Sequence, residues 1–168
     1  MAENLAYLPS VVGPATESDT DPYYYVYDYD GTEVAAAKAT TNYTTYGVLY
    51  NWPAALTACP PGWHLPSDAD WKQLEMYLGM SEEEADKRGE RGTDEGGKLK
   101  EVGTTHWETP NTGATNSSGF TALPGGQRDW FHGNFGYIGH YAAWWCSNNA
   151  VYRRLYYNDS YVTRYSFQ

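Results

Sequence analysis

The sequence predicts an α+β protein in which helices come first and loop-rich antiparallel β-structure follows. Two segments with helix-capping residues lie between Ser67 and Arg88, whereas the chain after Gly89 consists of turn sequences between short apolar and aromatic patches. Strands and helices do not alternate as they would around a parallel sheet. Because 168 residues is a usual length for one domain, we expect a single domain over residues 1–168.

The first elements are predicted from segments rich in aromatic and β-forming residues. Residues 23–36 surround Asp30-Gly31, a pair that favours positive φ, and this predicts a β-hairpin. Residues 43–56 mix β-forming and aromatic residues before they reach Pro53, which is accepted at the start of a helix but not inside one. We therefore expect a strand that leads into a helical turn.

The clearest helix is predicted to begin after Ser67, whose hydroxyl can cap the backbone three residues further on. Trp71 and Leu74 then share one face, and Gly79 supplies the end. Ser81 begins a second, charged helix without a wide apolar stripe, which is typical of a solvated surface helix. The expected core includes Trp63, Trp71, Leu74 and Leu155.

Composition and charge exclude several classes of protein. Hydrophobic residues make up 41% of the chain, which has 17 Tyr and 7 Trp, so it is not globally disordered. Lys and Arg number 11 against 21 Asp and Glu, and this net charge of −10 argues against nucleic acid as a partner. No apolar stretch approaches the ~20 residues of a membrane-spanning segment, and no signal peptide is recognisable. Cys59 and Cys146 could form a disulfide or remain free thiols, and the sequence alone does not distinguish the two states.

Six segments spread over nearly the whole chain carry a family resemblance. In chain order they are MAENL, YGVLYNW, CPPGWHLPSDADWKQLE, GGKLKE, PNTGATNSSGFTALPGG and AVYRRLYYNDSYV. Together they resemble the Fibrobacter succinogenes major paralogous domain family. The resemblance implies a C-type lectin-like fold, with two short helices, small antiparallel sheets and long Gly/Asn/Ser-rich loops. It also implies a secreted or cell-surface location in a bacterium, with terminal strands that are trimmed or divergent.

Histidine and cysteine give little support for catalysis. The four His and two Cys show none of the compact zinc spacings, and we expect His64 to pack between Trp63 and Leu65. The resemblance extends to formylglycine-generating enzymes, which need two closely spaced cysteines near the carboxyl end, where this chain has only Cys146. We expect no enzymatic activity, and an enzyme of that type is the alternative.

Calcium is the one cofactor that the sequence leaves open. Asp28–Gly31 resembles the start of an EF-hand loop, but its glycine comes fourth rather than sixth. Glu108–Asn111, followed by Asn148 and Asn149, resembles a calcium-dependent sugar site with the spacing changed by one residue. Since calcium takes six or more oxygen ligands, we expect no cofactor and no metal, with calcium as the alternative.

The segment from Val151 to Tyr161 carries the most information about function. If it forms a strand, Leu155 points inward and Tyr152, Arg154 and Tyr156 point outward. Exposed Tyr and Arg are typical of binding surfaces, and an aromatic ladder that only stabilises the strand is the alternative. A second aromatic loop covers residues 127–135. The expected ligand-binding residues are Trp130, Asn134, Asn148, Tyr152, Arg154, Tyr156, Asn158, Asp159 and Tyr161.

These observations favour a non-enzymatic, adhesin-like or receptor-binding module that presents a Tyr/Asn/Arg-rich surface to a protein or glycan ligand. A structural subunit of a surface assembly is a further alternative. Some proteins similar to this family are variable proteins of diversity-generating retroelements. The Asn, Tyr, Ser, Asp and Arg content of residues 147–164 motivates the hypothesis that this chain is one of them.

Overall fold

The computed structural model describes residues 4–129, 132–148 and 150–166, and this part of the chain is a mixed α+β protein. Its helices are α1 (Val34–Lys38), α2 (Thr41–Tyr46), α3 (Trp52–Ala55), α4 (Asp68–Tyr77), α5 (Glu82–Asp86) and α6 (Glu95–Leu99). Its strands are β1 (Tyr24–Tyr25), β2 (Leu49–Tyr50), β3 (Gly89–Arg91), β4 (Gln127–Arg128), β5 (Phe135–Gly136), β6 (Tyr141–Trp145), β7 (Val151–Tyr156) and β8 (Val162–Ser166). None of the described helices has the length and apolar character needed to cross a membrane.

A four-stranded antiparallel sheet, in the order β3-β8-β7-β6, organises the second half of the chain. In its register, Tyr152 of β7 lies opposite Trp145 of β6 on one side and Tyr165 of β8 on the other. Strand β8, the last in the chain, lies inside the sheet and pairs with β3 along one edge and with β7 along the other. Two smaller two-stranded sheets, β1-β2 and β4-β5, complete the β-structure of the described residues.

The two helices predicted from their caps, α4 and α5, are present. The Ser67 hydroxyl accepts a hydrogen bond from the Asp70 amide at 3.1 Å, and the Asp70 carboxylate accepts one from the Ser67 amide at 2.8 Å. Ser81 caps α5 in the same way, by accepting from the Glu84 amide at 3.2 Å. The remaining four helices are short, and the sequence predicts only α3 among them, which begins around Pro53 after strand β2.

The predicted hairpin at Asp30-Gly31 is wrong. Strand β1 instead pairs with β2, about 25 residues further along the chain. The chain reverses at Asp28, which has a φ of 61°, and then enters α1. The Asn51 side chain accepts from the Tyr23 amide at 2.8 Å, so a residue just after β2 fixes the start of β1. This distant polar contact outweighs the local turn preference.

Two hydrophobic clusters form the core of the described chain. The first contains Trp71 and Leu155, with Leu74 packed against it, and the second lies around Tyr24 and Val48. The core prediction for Trp63 is wrong, because Trp63 belongs to a projecting turn and its surface is 73% exposed. His64 is also exposed rather than packed inside, and its Nε2 lies 3.5 Å from Asp70.

Helix α4 is joined to the four-stranded sheet by a network of buried charges. Glu75 of α4 has its Oε1 2.7 Å from both Arg91 Nη2 and Arg153 Nε. Asp68, at the start of the same helix, has carboxylate oxygens 2.7 Å from Arg153 Nη1 and from Arg164 Nη2. The three arginines lie on β3, β7 and β8. The network therefore fixes the position of one helix against three strands.

Removal of the central carboxylate tests how much the network contributes to stability. We expect Glu75→Gln to lower the free energy of unfolding by about 3–5 kcal/mol, because it leaves buried arginine charge without its partner. The matched control is Glu83→Gln, whose side chain is 89% exposed; we expect it to change stability by less than about 0.5 kcal/mol. Urea denaturation followed by tryptophan fluorescence measures both, and equal values would contradict the structural role of the network.

The acid dependence of stability tests the Asp68 end of the network. Burial alone raises the pKa of Asp68, but the hydrogen bonds and charges of Arg164 and Arg153 outweigh it and lower this pKa well below the ordinary value. The ionised carboxylate therefore stabilises the fold above about pH 4, and its contribution is lost as the pH falls further. We expect the difference in unfolding free energy between wild type and Asp68→Asn to shrink between pH 5 and pH 2; a constant difference would contradict this.

Candidate functional site

The candidate site begins with the alternation of side chains along β7. Val151, Arg153 and Leu155 are buried, and the residues between them are half-buried on the opposite face. This is the orientation that the sequence predicts. Tyr152, Arg154 and Tyr156 therefore share the side of the sheet that faces away from the Leu155 cluster.

Arg154 is enclosed by tyrosine rings. Its guanidinium carbon lies 4.2 Å from the ring centre of Tyr141, 5.2 Å from that of Tyr152 and 5.8 Å from that of Tyr156. It also donates to the Tyr156 hydroxyl at 3.1 Å and to the Gln127 side-chain oxygen at 3.3 Å. Cation–π contacts of this kind stabilise a fixed arrangement of the rings. Arg154 thus orients the surrounding tyrosines.

The rings continue across the neighbouring strands. Tyr152 lies 5.9 Å from Trp145 on β6 and 6.0 Å from Tyr165 on β8, measured between ring centres. Tyr141 and Tyr156 form a second cross-strand pair at 5.6 Å. We name this side of the sheet the tyrosine face; its members are Tyr141, Trp145, Tyr152, Arg154, Tyr156 and Tyr165. Tyr141 is buried at 4% exposure and forms the base of the face rather than its surface. Tyr165 is 40% exposed and borders the solvent side of the tyrosine face.

The turn between β7 and β8 lies directly beside the tyrosine face. Asn158 is exposed, Asp159 is half-buried, and Tyr161 is 40% exposed. The Asp159 carboxylate accepts a hydrogen bond from the Tyr161 amide at 3.1 Å. Its pKa is raised by burial, which outweighs the opposing effects of this hydrogen bond and of Lys100. The turn therefore presents an amide, a carboxylate and a phenol at one end of β7.

Lys100 fixes this turn from below. Its buried ammonium donates to the carbonyl oxygens of Tyr156, Asp159 and Thr112 at 2.9, 2.7 and 2.9 Å. It also lies 5.4 Å from the centre of the Trp107 ring. Burial lowers the pKa of Lys100 to about 8. Sequence analysis missed this residue, because its three acceptors are backbone carbonyls that are 12, 56 and 59 residues away along the chain.

Two of the other predicted ligand-binding residues, Asn148 and Asn134, lie in other segments of the described chain. Asn148 lies at the opposite end of β7, and its side-chain oxygen accepts from the Asp68 amide at 2.9 Å, so it extends the cap of α4. Asn134 is exposed in the loop between β4 and β5. Trp130 lies outside the described residues. Sequence analysis also missed Tyr141, Trp145 and Tyr165, because neither YAAWW in β6 nor VTRYS in β8 alternates regularly between apolar and polar residues.

Nucleophilic and metal chemistry find little support in the described residues. Cys59 and Cys146 are free thiols, and Cys146 is fully buried. Burial raises the pKa of the Cys146 thiol to about 11, and its sulfur lies 3.6 Å from Arg153 Nη1. Within the described ranges, no group of three or more His, Cys, Asp or Glu side chains is arranged to bind a metal ion.

The comparisons agree with the family that the sequence segments suggest. The fold and the site define a mixed α+β protein whose main sheet presents an aromatic face with a central arginine. The sequence model of the Fibrobacter succinogenes major domain matches residues 1–164, and the chain belongs to that family. No curated protein and no solved structure matches the chain.

Replacement of Lys100 tests whether it fixes the turn beside the tyrosine face. We expect Lys100→Met to destabilise the fold by at least ~2 kcal/mol, because it leaves buried carbonyl oxygens without donors. We also expect faster hydrogen exchange at the Tyr161 amide. The matched control is Lys38→Met at an exposed position of α1. Equal stability and equal Tyr161 exchange in the two variants would show that Lys100 does not position this turn.

Proposed function

We propose that the chain is a non-enzymatic binding module that contacts a protein ligand through the tyrosine face and the adjoining turn of residues 158–161. The observation that carries this proposal is the alternation along β7, which puts Tyr152 and Tyr156 on one side of the sheet around Arg154. A broad surface of rings matches a protein partner better than a small molecule, which needs a concave site.

Rigid tyrosines make efficient contact surfaces. A tyrosine buries a large area with few rotatable bonds, and the rings around Arg154 already lose freedom in the unbound protein. Their entropy cost on binding is therefore small. The exposed turn residues Asn158 and Tyr161 add hydrogen-bonding groups at the edge of the same surface. Arg154 contributes indirectly in this arrangement, as the residue that orients the rings.

The state of Cys146 supports a binding function over the enzymatic alternative. A formylglycine-generating type of reaction needs reactive thiolates near the carboxyl end. Cys146 is fully buried, with a pKa raised to about 11, so little of it is thiolate at neutral pH. Turnover of a thiol peptide by the purified protein with copper would overturn this part of the proposal.

Membership of the family supports the remaining parts of the proposal. These are a C-type lectin-like arrangement of the fold and a secreted or cell-surface location in a bacterium. The retroelement hypothesis fits the turn of residues 158–161, because exposed side chains there can change without loss of the core. A reverse transcriptase gene and a near-copy of the 3′ coding end beside this gene would support that hypothesis.

Binding measurements with two tyrosine variants test the proposed surface. An array of purified extracellular proteins identifies ligands of the wild-type chain, and titration gives their Kd values. We expect Tyr161→Ala to weaken binding about 30-fold, which corresponds to the ~2 kcal/mol of a hot-spot tyrosine. Tyr77→Ala is the matched control, because Tyr77 is 87% exposed on α4. Equal effects of the two substitutions on Kd would contradict the assignment of the turn of residues 158–161 to the binding surface.

A further inference from the structure

A cleft of about 460 Å³ lies apart from the residues of the tyrosine face. It is formed by α2, by the loop that contains His106 and Glu108, and by the connection between β5 and β6. This volume is within the roughly 300–1,000 Å³ of small-molecule sites, but the cleft is shallow and widely open to solvent. The lining residues on which the inference depends are Thr41, Thr45, Tyr46, His106, Glu108 and Ile138.

Two charged or imidazole side chains line the cleft, His106 and Glu108, and each is paired with a residue outside the lining, Glu101 and His140 respectively. His106 Nδ1 lies 2.9 and 3.0 Å from the two oxygens of Glu101. His140 Nε2 lies 3.1 Å from Glu108 Oε1. Because a carboxylate only accepts, the paired ring nitrogen carries the hydrogen, and Nε2 of a neutral His106 is an acceptor. The Glu108 carboxylate, which lines the cleft, thus shares its hydrogen-bonding capacity with His140 and still has lone pairs for a ligand.

The remaining wall combines apolar surface with hydroxyl groups. The half-buried Tyr46 ring meets the His106 ring edge to face, with centres 5.9 Å apart. Burial raises the pKa of Tyr46, so its hydroxyl keeps its proton at neutral pH. Ile138 adds aliphatic surface. Thr41 and Thr45 are four residues apart on α2, so both hydroxyls belong to one side of this helix.

We propose that this cleft binds a neutral, polyhydroxylated small molecule of the size of a pyranose sugar. Such a ligand has hydroxyls that donate to carboxylate and imidazole and C–H surfaces that pack on Tyr46 and Ile138. An anionic ligand would be repelled by Glu108, the carboxylate that lines the cleft. A simple amine would need a carboxylate without a competing donor, whereas Glu108 already pairs with His140.

This inference is separate from the proposed protein-binding function, since the cleft is lined by other residues. Calcium is not needed for it. The carboxylate, imidazole and hydroxyl groups of the cleft can form hydrogen bonds to the sugar without a bridging metal ion. Sugar binding in the cleft is therefore expected to persist in the presence of EDTA. The two sites can therefore be tested in the same protein without confusion between them.

Saturation-transfer NMR on the full chain tests the cleft. The probes are methyl pyranosides of common hexoses, pentoses and N-acetylhexosamines, with EDTA present and with methylamine and acetate as competing ligand classes. We expect saturation transfer to at least one methyl pyranoside at millimolar concentration. Absence of transfer to every methyl pyranoside, or preference for methylamine or acetate, would overturn the proposal.

Variants then assign the binding to the cleft. We expect Tyr46→Ala and Glu108→Gln to weaken the Kd for the bound pyranoside at least tenfold. Glu108 is more than half exposed, so the Glu108→Gln variant remains informative if Tyr46→Ala does not fold. Tyr161→Ala is the control, because Tyr161 lies in the turn of residues 158–161 and does not line the cleft. It should leave the Kd for the pyranoside unchanged. An unchanged Kd in Glu108→Gln would overturn the assignment, whatever the result for the tyrosine face.

Discussion

The buried pairing of Glu75 with Arg91 and Arg153 is the contact on which the rest of the structure depends. Arg153 is an inward residue of β7, where a charged side chain is costly unless it finds an opposite charge. A shift of β7 by one residue would turn Arg153 outward and bury Arg154 in its place. Only the observed register brings the Arg153 guanidinium within 2.7 Å of both Glu75 and Asp68. The network thereby selects the register of the strand that forms the centre of the tyrosine face.

Two adjacent arginines consequently have opposite environments. Arg153 lies among carboxylates on the core side, and Arg154 lies among tyrosine rings on the other side. Each environment suits the planar guanidinium, which can form bidentate ion pairs and can also stack on aromatic rings. The first contact fixes the sheet against α4, and the second orders the rings on the sheet. The order of the tyrosine face is therefore an indirect consequence of the charges on a helix below it.

Local signals predicted the parts of this structure that short stretches of chain determine. The caps at Ser67 and Ser81 located α4 and α5, and the alternation around Leu155 gave the orientation of β7. The hairpin at Asp30-Gly31 failed because the partner of β1 is selected by contacts with residues near Asn51. Trp63 is a large apolar residue, but the turn that carries it projects away from both clusters. The cleft could not be predicted, because its walls come from three distant segments.

The pairing of arginines within the fold, beside an excess of exposed acidic residues, also affects which ligands the two proposed sites would favour. The arginines of the carboxyl-terminal region neutralise carboxylates of α4 or lie among tyrosine rings, whereas many acids of the first hundred residues are exposed. The net charge of −10 gives the chain as a whole a negative potential. Such a potential disfavours acidic ligands at long range. Under the two proposals, affinity at the tyrosine face comes from buried ring area and hydroxyl hydrogen bonds, and affinity in the cleft from neutral hydroxyl groups. The arginines that stabilise the sheet are thus engaged within the fold, and the excess charge of the chain is acidic.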